Sequence, residues 1–338
     1  MSTLSTNASE LAAACQNGDR RAASRLISML ESADAAIAAA ASDAVARLSL
    51  PRQTLGLTGP PGAGKSTLVD YLAGLYRARG EKVAVLAIDP SSPFTGGALL
   101  GDRIRMSSLR NDPSVFIRSM GSRGAAGGVA AAASDALRVL GACGYGTVLL
   151  ETVGTGQAET EVVNLADTVC VIQVPGLGDD VQLMKMGLLE IADVFVVNKG
   201  DKPEAQELKL QIELALQTNP GEYSRALRQL GSTFTATYTG PKWNPPVVIV
   251  SALRRAQGED VLAACDRHLE FLRQPALDQA LKRHRLQHEI VWRAGARFQE
   301  SLNAELASAG KLSSVLDACI AGGMTLDQAV ARVLGFHS

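Results

Sequence analysis

The chain has 338 residues, 46% of them hydrophobic and 20% charged, with a formal net charge of −1. That length accommodates one large core or two domains of ordinary size. With 33 basic against 34 acidic residues, it lacks the basic excess that marks a nucleic-acid binder, and no nucleic-acid partner is expected. Five cysteines, at 15, 143, 170, 265 and 319, form no CxxC pair and leave one over in any full pairing. Reduced thiols and a cytoplasmic location are therefore expected. The start, MSTLSTNASELAAACQNGD, has neither a basic region nor a long apolar run, and no 18 consecutive strongly apolar residues occur. Neither a secretory signal nor a membrane span is expected.

Residues 1–50 read as a helical extension. Leu26, Met29 and Leu30 follow helical spacing, Gly18–Asp19 marks a break, and the alanine-rich stretch 34–47 carries Asp34 and Asp43 as a soluble helix would. From 51 to 256, short apolar runs alternate with glycine-rich turns and helical segments: TLGLT (54–58), VAVLAI (83–88), VFIRS (115–119), TVLLE (147–151), TVCVIQV (168–174), VFVVN (194–198) and VVIVS (247–251). Runs of this kind predict a mainly parallel sheet with helices on both faces, an α/β fold. Residues 257–338 read as helical again. Val261, Leu262, Cys265, Leu269 and Leu272 share one face, Pro275 precedes a long segment from 277 to about 308, and Thr325 with Gln328 forms a capping box. This polar arm, with Phe271, Trp292 and Phe298, can pack on the core or meet a second subunit. His284 and His288 lie one helical turn apart but without HExxH or partnering cysteines, so no zinc site is expected there.

The chemistry-bearing motifs sit at the ends of the apolar runs. Gly59-Pro-Pro-Gly62-Ala63-Gly64-Lys65-Ser66-Thr67 matches G-x-x-x-x-G-K-[ST] between a strand and a helix, the context of a P-loop. Glycines let backbone N–H groups turn inward on phosphates, Lys65 reaches the β- and γ-phosphates, and the Ser66 hydroxyl can ligate Mg²⁺. The α/β sheet is therefore expected to be that of a P-loop NTPase, with N- and C-terminal helical extensions. Asn198-Lys199-Gly200-Asp201 ends VFVVN in the form N-K-x-D, and Ser251-Ala252-Leu253 follows VVIV. An Asp201 carboxylate can accept from guanine N1–H and N2–H₂, a pair adenine does not offer, so GTP is expected over ATP.

Between these motifs, Asp89, Asp102 and Glu151 end or follow apolar runs, and Glu151-x-x-Gly154 stands where such GTPases carry Asp-x-x-Gly. Lys65, Asp89, Asp102 and Glu151 are the catalytic candidates, and Ser66, Asp89, Asp102 and Glu151 the metal candidates. Phosphate oxygens and waters already occupy much of an octahedron, so the three carboxylates are not all direct ligands. No residue declares itself the catalytic base. Gln157 can meet water or bond only backbone. Arg103, Arg105, Arg118 and Arg123 can neutralise phosphate or serve surface and partner contacts. Slow intrinsic turnover is expected.

With the stretches AVLAIDPSSPFTGGALLGDRIRM (84–106), FIRSMGSRGAAGG (116–128), ETVGTGQAE (151–159) and QVPGLGDDVQLMKMGLLEIADVFVVNKGD (173–201), the chain resembles the MeaB/ArgK family of P-loop GTPases over roughly 50 to 255. The resemblance implies a guanine-nucleotide-dependent chaperone that protects an adenosylcobalamin-dependent acyl-CoA mutase and gates its cofactor loading. It implies GTP/GDP and Mg²⁺ as ligands, a homodimer formed through the C-terminal helices, and a partner-responsive switch at 173–185, with Asp179, Gln182 and Lys185 in communication. Gly121, Thr155 and Gly200 depart from the family's usual proline, valine and alanine. The first two leave the client open between methylmalonyl-CoA mutase and relatives acting on 2-hydroxyisobutyryl-, isobutyryl- or ethylmalonyl-CoA. The alternatives are a metal-insertion GTPase, for which a histidine-rich run or Cys/His cluster is missing, a small-molecule kinase, and a non-hydrolysing nucleotide-binding interaction protein.

Overall fold

The computed structural model describes residues 3–32, 34–89, 109, 112–121, 128–152, 164–176, 188–217, 224–307 and 311–333. All seven apolar runs are strands: β1 (Gln53–Thr58), β2 (Val83–Asp89), β3 (Val115–Gly121), β4 (Thr147–Thr152), β5 (Thr168–Gln173), β6 (Val194–Val197) and β7 (Val247–Ile249). They form one sheet in the order β3-β2-β4-β1-β5-β6-β7, with every pairing parallel. β1, β4 and β5 are buried at every position, which is why they read as continuous apolar runs rather than alternating ones.

Period-two geometry divides their side chains between two cores. On one face Leu55, Leu57, Leu149, Cys170 and Ile172 pack against α4 (Lys65–Ala78) and a helix over Gly258–Leu272. On the other, Val148 and Leu150 meet α5 (Gly128–Ala142), while Val169 and Val171 belong to a cluster with Ala205 and Ile212 of a helix over Ala205–Gln217.

The N-terminal helices α1 (Thr3–Gln16), α2 (Arg20–Leu30) and α3 (Ala35–Val45) add their apolar faces to the α5 core. The expected break at Gly18–Asp19 is a helix start: the Asp19 carboxylate accepts from the Arg21 and Ala22 amides at 2.7 and 3.2 Å. Asp34 caps α3 in the same way, through Ala36 and Ile37. The Ser42 hydroxyl donates to Asp135 of α5 at 2.7 Å, fixing α3 on it. Arg118 of β3 points into this layer rather than toward phosphate. Its guanidinium donates to the Ser24 carbonyl (3.1 Å), the Ser28 hydroxyl (3.0 Å) and the Glu31 carboxylate of α2 and its C-cap. Arg103, Arg105 and Arg123 lie outside the described residues.

After β5 come α6 (Leu188–Ile191), α7 (Ala205–Gln217), α8 (Arg225–Gln229), α9 (Gly231–Thr237) and α10 (Gly258–Leu272). At the start of β5 and β6 lies a buried ionic cluster. Asp193, fully buried, accepts from Arg225 Nε at 2.8 Å and from the Val169 amide at 2.9 Å, with His268 Nε2 at 3.4 Å from its other oxygen. Thr168 Oγ1 and His268 Nδ1 are 2.8 Å apart. The His268 ring lies against Trp243 and Phe271, at centroid distances of 4.8 and 5.9 Å. Desolvation holds His268 neutral, its pKa lowered to about 4.

The chain forms two compact units, Met1–Arg285 and Leu286–Ser338. The second consists of the later turns of α11 (Pro275–Ala307) with α12 (Lys311–Ile320) and α13 (Leu326–Val333). The capping box at α13 forms as expected: the Thr325 amide donates to Gln328 Oε1 (3.0 Å) and the Gln328 amide to Thr325 Oγ1 (3.2 Å). Cys15, Cys143, Cys170 and Cys265 are buried and Cys319 is partly exposed, the Cys170 and Cys265 sulfurs 3.5 Å apart. Among the described residues no helix is long and apolar enough to cross a membrane, and no group of three metal-ligating side chains occurs.

Candidate functional site

Parallel pairing brings the C-terminal ends of the strands to one edge, where ligands of open α/β sheets bind. β1 ends at Thr58 and the chain turns through 59–64 into α4. Gly64 adopts φ 83° as N-cap of α4, and a Cβ there would stand 2.6 Å from Asn198 Nδ2. Both the turn and that approach require glycine. The first turn of α4 carries no acidic residue, so no carboxylate of its own offsets the positive end that it offers an anion. The Lys65 ammonium, folded back over the loop, donates to the Gly59 and Pro60 carbonyls at 2.7 and 3.2 Å. On the adjacent turn the Ser66 hydroxyl donates to Glu151 Oε1 at 2.5 Å. Glu151 sits on β4 opposite Leu57 of β1 and is 2% exposed. Ala63 is buried and Thr67 exposed.

The second cluster lies at the end of β6. Asn198, 3% exposed, ties three motifs together. Its Nδ2 donates to the Ala63 carbonyl in the P-loop at 2.8 Å. Its Oδ1 accepts from the Lys199 amide at 2.8 Å and the Ala252 amide at 3.1 Å. Lys199 takes φ 59°, turning the chain so that Asp201 faces Ser251. The Ser251 hydroxyl donates to Asp201 Oδ1 at 2.6 Å, and this bond, with Asp201's own amide and the charges of Arg254 and Lys202, holds the carboxyl below its ordinary range. Asp201 is thus an ionised acceptor at neutral pH. Gly200 has a steric reason: a Cβ would lie 2.4 Å from Ile249 Cγ2 and 3.1 Å from the Val250 carbonyl.

The structure therefore gathers Lys65, Ser66 and Glu151 in one place and Asn198, Lys199, Asp201, Ser251 and Ala252 in another, with Asn198 joining the two. Leu253 projects into solvent, 86% exposed. Asp89 closes β2, and its side chain is not among those described. Asp102, Gln157 and the switch candidates Asp179, Gln182 and Lys185 lie outside the described residues.

Residues 23–307 match the family model for the methylmalonyl-CoA mutase-associated GTPase MeaB. The chain belongs to the MeaB family. A relative from Pyrococcus abyssi named as a GTPase is 45% identical over 281 residues, spanning 83% of this chain and 82% of its own length. GTPase ArgK of Escherichia coli is 36% identical over 249 residues, 74% of this chain and 70% of ArgK. The mitochondrial methylmalonic aciduria type A homolog of Caenorhabditis briggsae is 36% identical over 218 residues, 64% of this chain and 49% of that protein. The crystal structure of an LAO/AO transport system kinase superposes with a TM-score of 0.65 at 25% identity, covering 98% of this chain and 97% of that one. The α/β fold and MeaB membership expected from sequence both hold.

One feature of this MeaB-family site carried no signal in the sequence: Arg254, whose Nε lies 3.6 Å from Asp201 Oδ2. Its distance along the chain from Asp201 belongs to no local motif, and only the folded sheet brings the two groups together.

Proposed function

We propose that this protein binds GTP and hydrolyses it to GDP and phosphate, slowly alone and faster with its partner. In this reading it is a homodimeric, cytoplasmic chaperone that protects an adenosylcobalamin-dependent acyl-CoA mutase and gates its cofactor loading. The observation carrying the nucleotide half is the Asn198 carboxamide bonded at once to the P-loop and to the Ser251–Leu253 turn. It makes phosphate socket and base reader one rigid unit, as tight, oriented binding requires. The Lys65 ammonium, held on two loop carbonyls, exchanges them for β- and γ-phosphate oxygens. Asp201 accepts from the guanine edge while Ser251 fixes its orientation.

Ser66 Oγ and Glu151 Oε1, 2.5 Å apart, are hard oxygen donors, a chemistry that fits Mg²⁺. Asp89 and Asp102 are the other carboxylates of the proposed set, not all of them touching the ion directly. Bound there, the ion would offset negative charge on the phosphoryl oxygens. Glu151, on a strand buried at every position, holds its carboxylate and the Ser66 hydroxyl in place.

The mutase half is supported by the family description, with methylmalonyl-CoA mutase or a relative as client and Asp179, Gln182 and Lys185 answering it. The homodimer is supported by apolar side chains left exposed along α11, among them Leu286, Ile290, Val291 and Phe298.

The deciding experiment measures GTP hydrolysis by the purified protein, alone and with each of several B12-dependent acyl-CoA mutases, ATP serving as control. Marked acceleration by one mutase is the expected result. Slow GTP turnover unchanged by every mutase would overturn the chaperone reading, and equal turnover of ATP the guanine reading. Lys65→Ala should remove most nucleotide binding in an equilibrium titration; retained wild-type affinity would refute the socket assignment.

A further inference from the structure

We propose that Arg254 competes with the guanine base for the Asp201 carboxylate, so that this protein carries a built-in limit on its affinity for guanine nucleotides. The proposal rests on Asp201 as the guanine reader.

The two oxygens of Asp201 are differently engaged. Oδ1 accepts the neutral Ser251 hydroxyl at 2.6 Å, which orients the carboxylate and leaves a lone pair open. Oδ2 faces Nε of Arg254 at 3.6 Å. A guanine edge presents two donors, N1–H and N2–H₂, and needs both oxygens. Arg254 brings a full positive charge and five N–H donors to the oxygen that remains. Its charge opposes the electropositive guanine edge and favours the carboxylate it must release.

The backbone carrying Arg254 is pinned. Ser251 and Ala256 exchange backbone hydrogen bonds at 3.2 and 3.1 Å, and Arg255 and Gln257 turn the chain at φ 50° and 64°. Arg255 donates to Asp70 of α4 at 2.6 Å and lies 5.8 Å over the Tyr71 ring. The Gly258 amide meets the Tyr71 hydroxyl at 3.2 Å. The turn is clamped to the P-loop helix on one side and to Asn198 on the other. The Arg254 side chain, 70% exposed, is left to swing. Base entry therefore requires the arginine to give way while the frame around it stays fixed.

Exposed ion pairs of this kind shift equilibria by about two- to fivefold. Because Arg254 also attracts phosphate at long range, the informative quantity is the ratio of affinities for GDP and inosine diphosphate. The phosphates cancel in that ratio, and inosine offers Asp201 one donor instead of two. Dissociation constants for both nucleotides would be measured for the wild type, Arg254→Ala, Arg254→Lys and Asp201→Asn, at low and high salt. Arg254→Ala should raise the preference for GDP over inosine diphosphate about two- to fivefold and slow GDP release by a similar factor. Arg254→Lys should fall between, and high salt should move the wild type toward Arg254→Ala. A preference unchanged or lowered in Arg254→Ala overturns the proposal. Asp201→Asn separates the two readings. If it abolishes the preference while Arg254→Ala leaves it unchanged, the base reader stands and the competition fails. If the preference survives Asp201→Asn, the base reader itself is wrong.

Discussion

Gly200 shows how one absent methyl group can be fixed by a neighbour. The site that a Cβ would need is filled by Ile249 Cγ2, 2.4 Å away, with the Val250 carbonyl behind it. Gly200→Ala should therefore cost about 2 kcal/mol, the range for overpacking a closed site. Denaturant unfolding would measure it, and adding Ile249→Ala should recover part of the loss by removing the obstructing methyl. Failure of the single substitution to destabilise would mean that the turn relaxes freely. The sequence marked Gly200 as a departure from the family pattern but supplied no reason, because the reason lies in a strand 49 residues further on. The N-K-x-D and P-loop segments could be picked out for the opposite cause. Each is local, and a spacing of a few residues is enough to mark it as a candidate.

Elements were legible where burial is two-sided. The seven apolar runs became the seven strands of the sheet; in β1, β4 and β5, buried at every position, there is no solvent side to interrupt the run. The ionic ties between elements were not. Arg118 and Glu31 are 87 residues apart, and nothing along the chain pairs them. Their side chains are 14% and 9% exposed, so Arg118→Ala leaves a largely buried carboxylate without its guanidinium. A loss of about 3 kcal/mol is expected in urea unfolding. Glu31→Gln should cost less, and a loss within error for Arg118→Ala would show the clamp to be dispensable.

The Asp193–Arg225–His268 cluster has a pH signature. His268 titrates near pH 4 in the folded chain and near 6.5 when unfolded. The unfolded state therefore binds the proton first as pH falls. Stability from the neutral imidazole is complete above about pH 6.5 and is lost progressively down to about pH 4. Asp193 and Asp167 oppose the depression while Arg225 and Arg285 add to burial. Unfolding free energy should drop by about 2 kcal/mol between pH 7.5 and 5 from this residue alone. His268→Gln should flatten that part of the profile, and an unaltered slope would assign the acid sensitivity elsewhere.

At the scale of the whole molecule, the sheet gathers the proposed site from separate strand ends. The P-loop, Glu151 and the proposed base reader come from β1, β4 and β6, strands distant in sequence, and Asn198 links the first to the last. The sequence order of the motifs conveyed this plan because parallel strands with crossover helices put every C-terminal end on one edge.

The burial of the cysteines has a practical consequence for studying that plan. Four are enclosed in the core and Cys319 of α12 is partly exposed, so a thiol-reactive dye should modify the native chain at one position, in its C-terminal unit. Mass spectrometry should find a single adduct per chain, abolished by Cys319→Ser. Fast modification of a second cysteine would contradict the described packing. With one reporter there, energy transfer between labelled copies would test the proposed homodimer in solution, with no engineered cysteine.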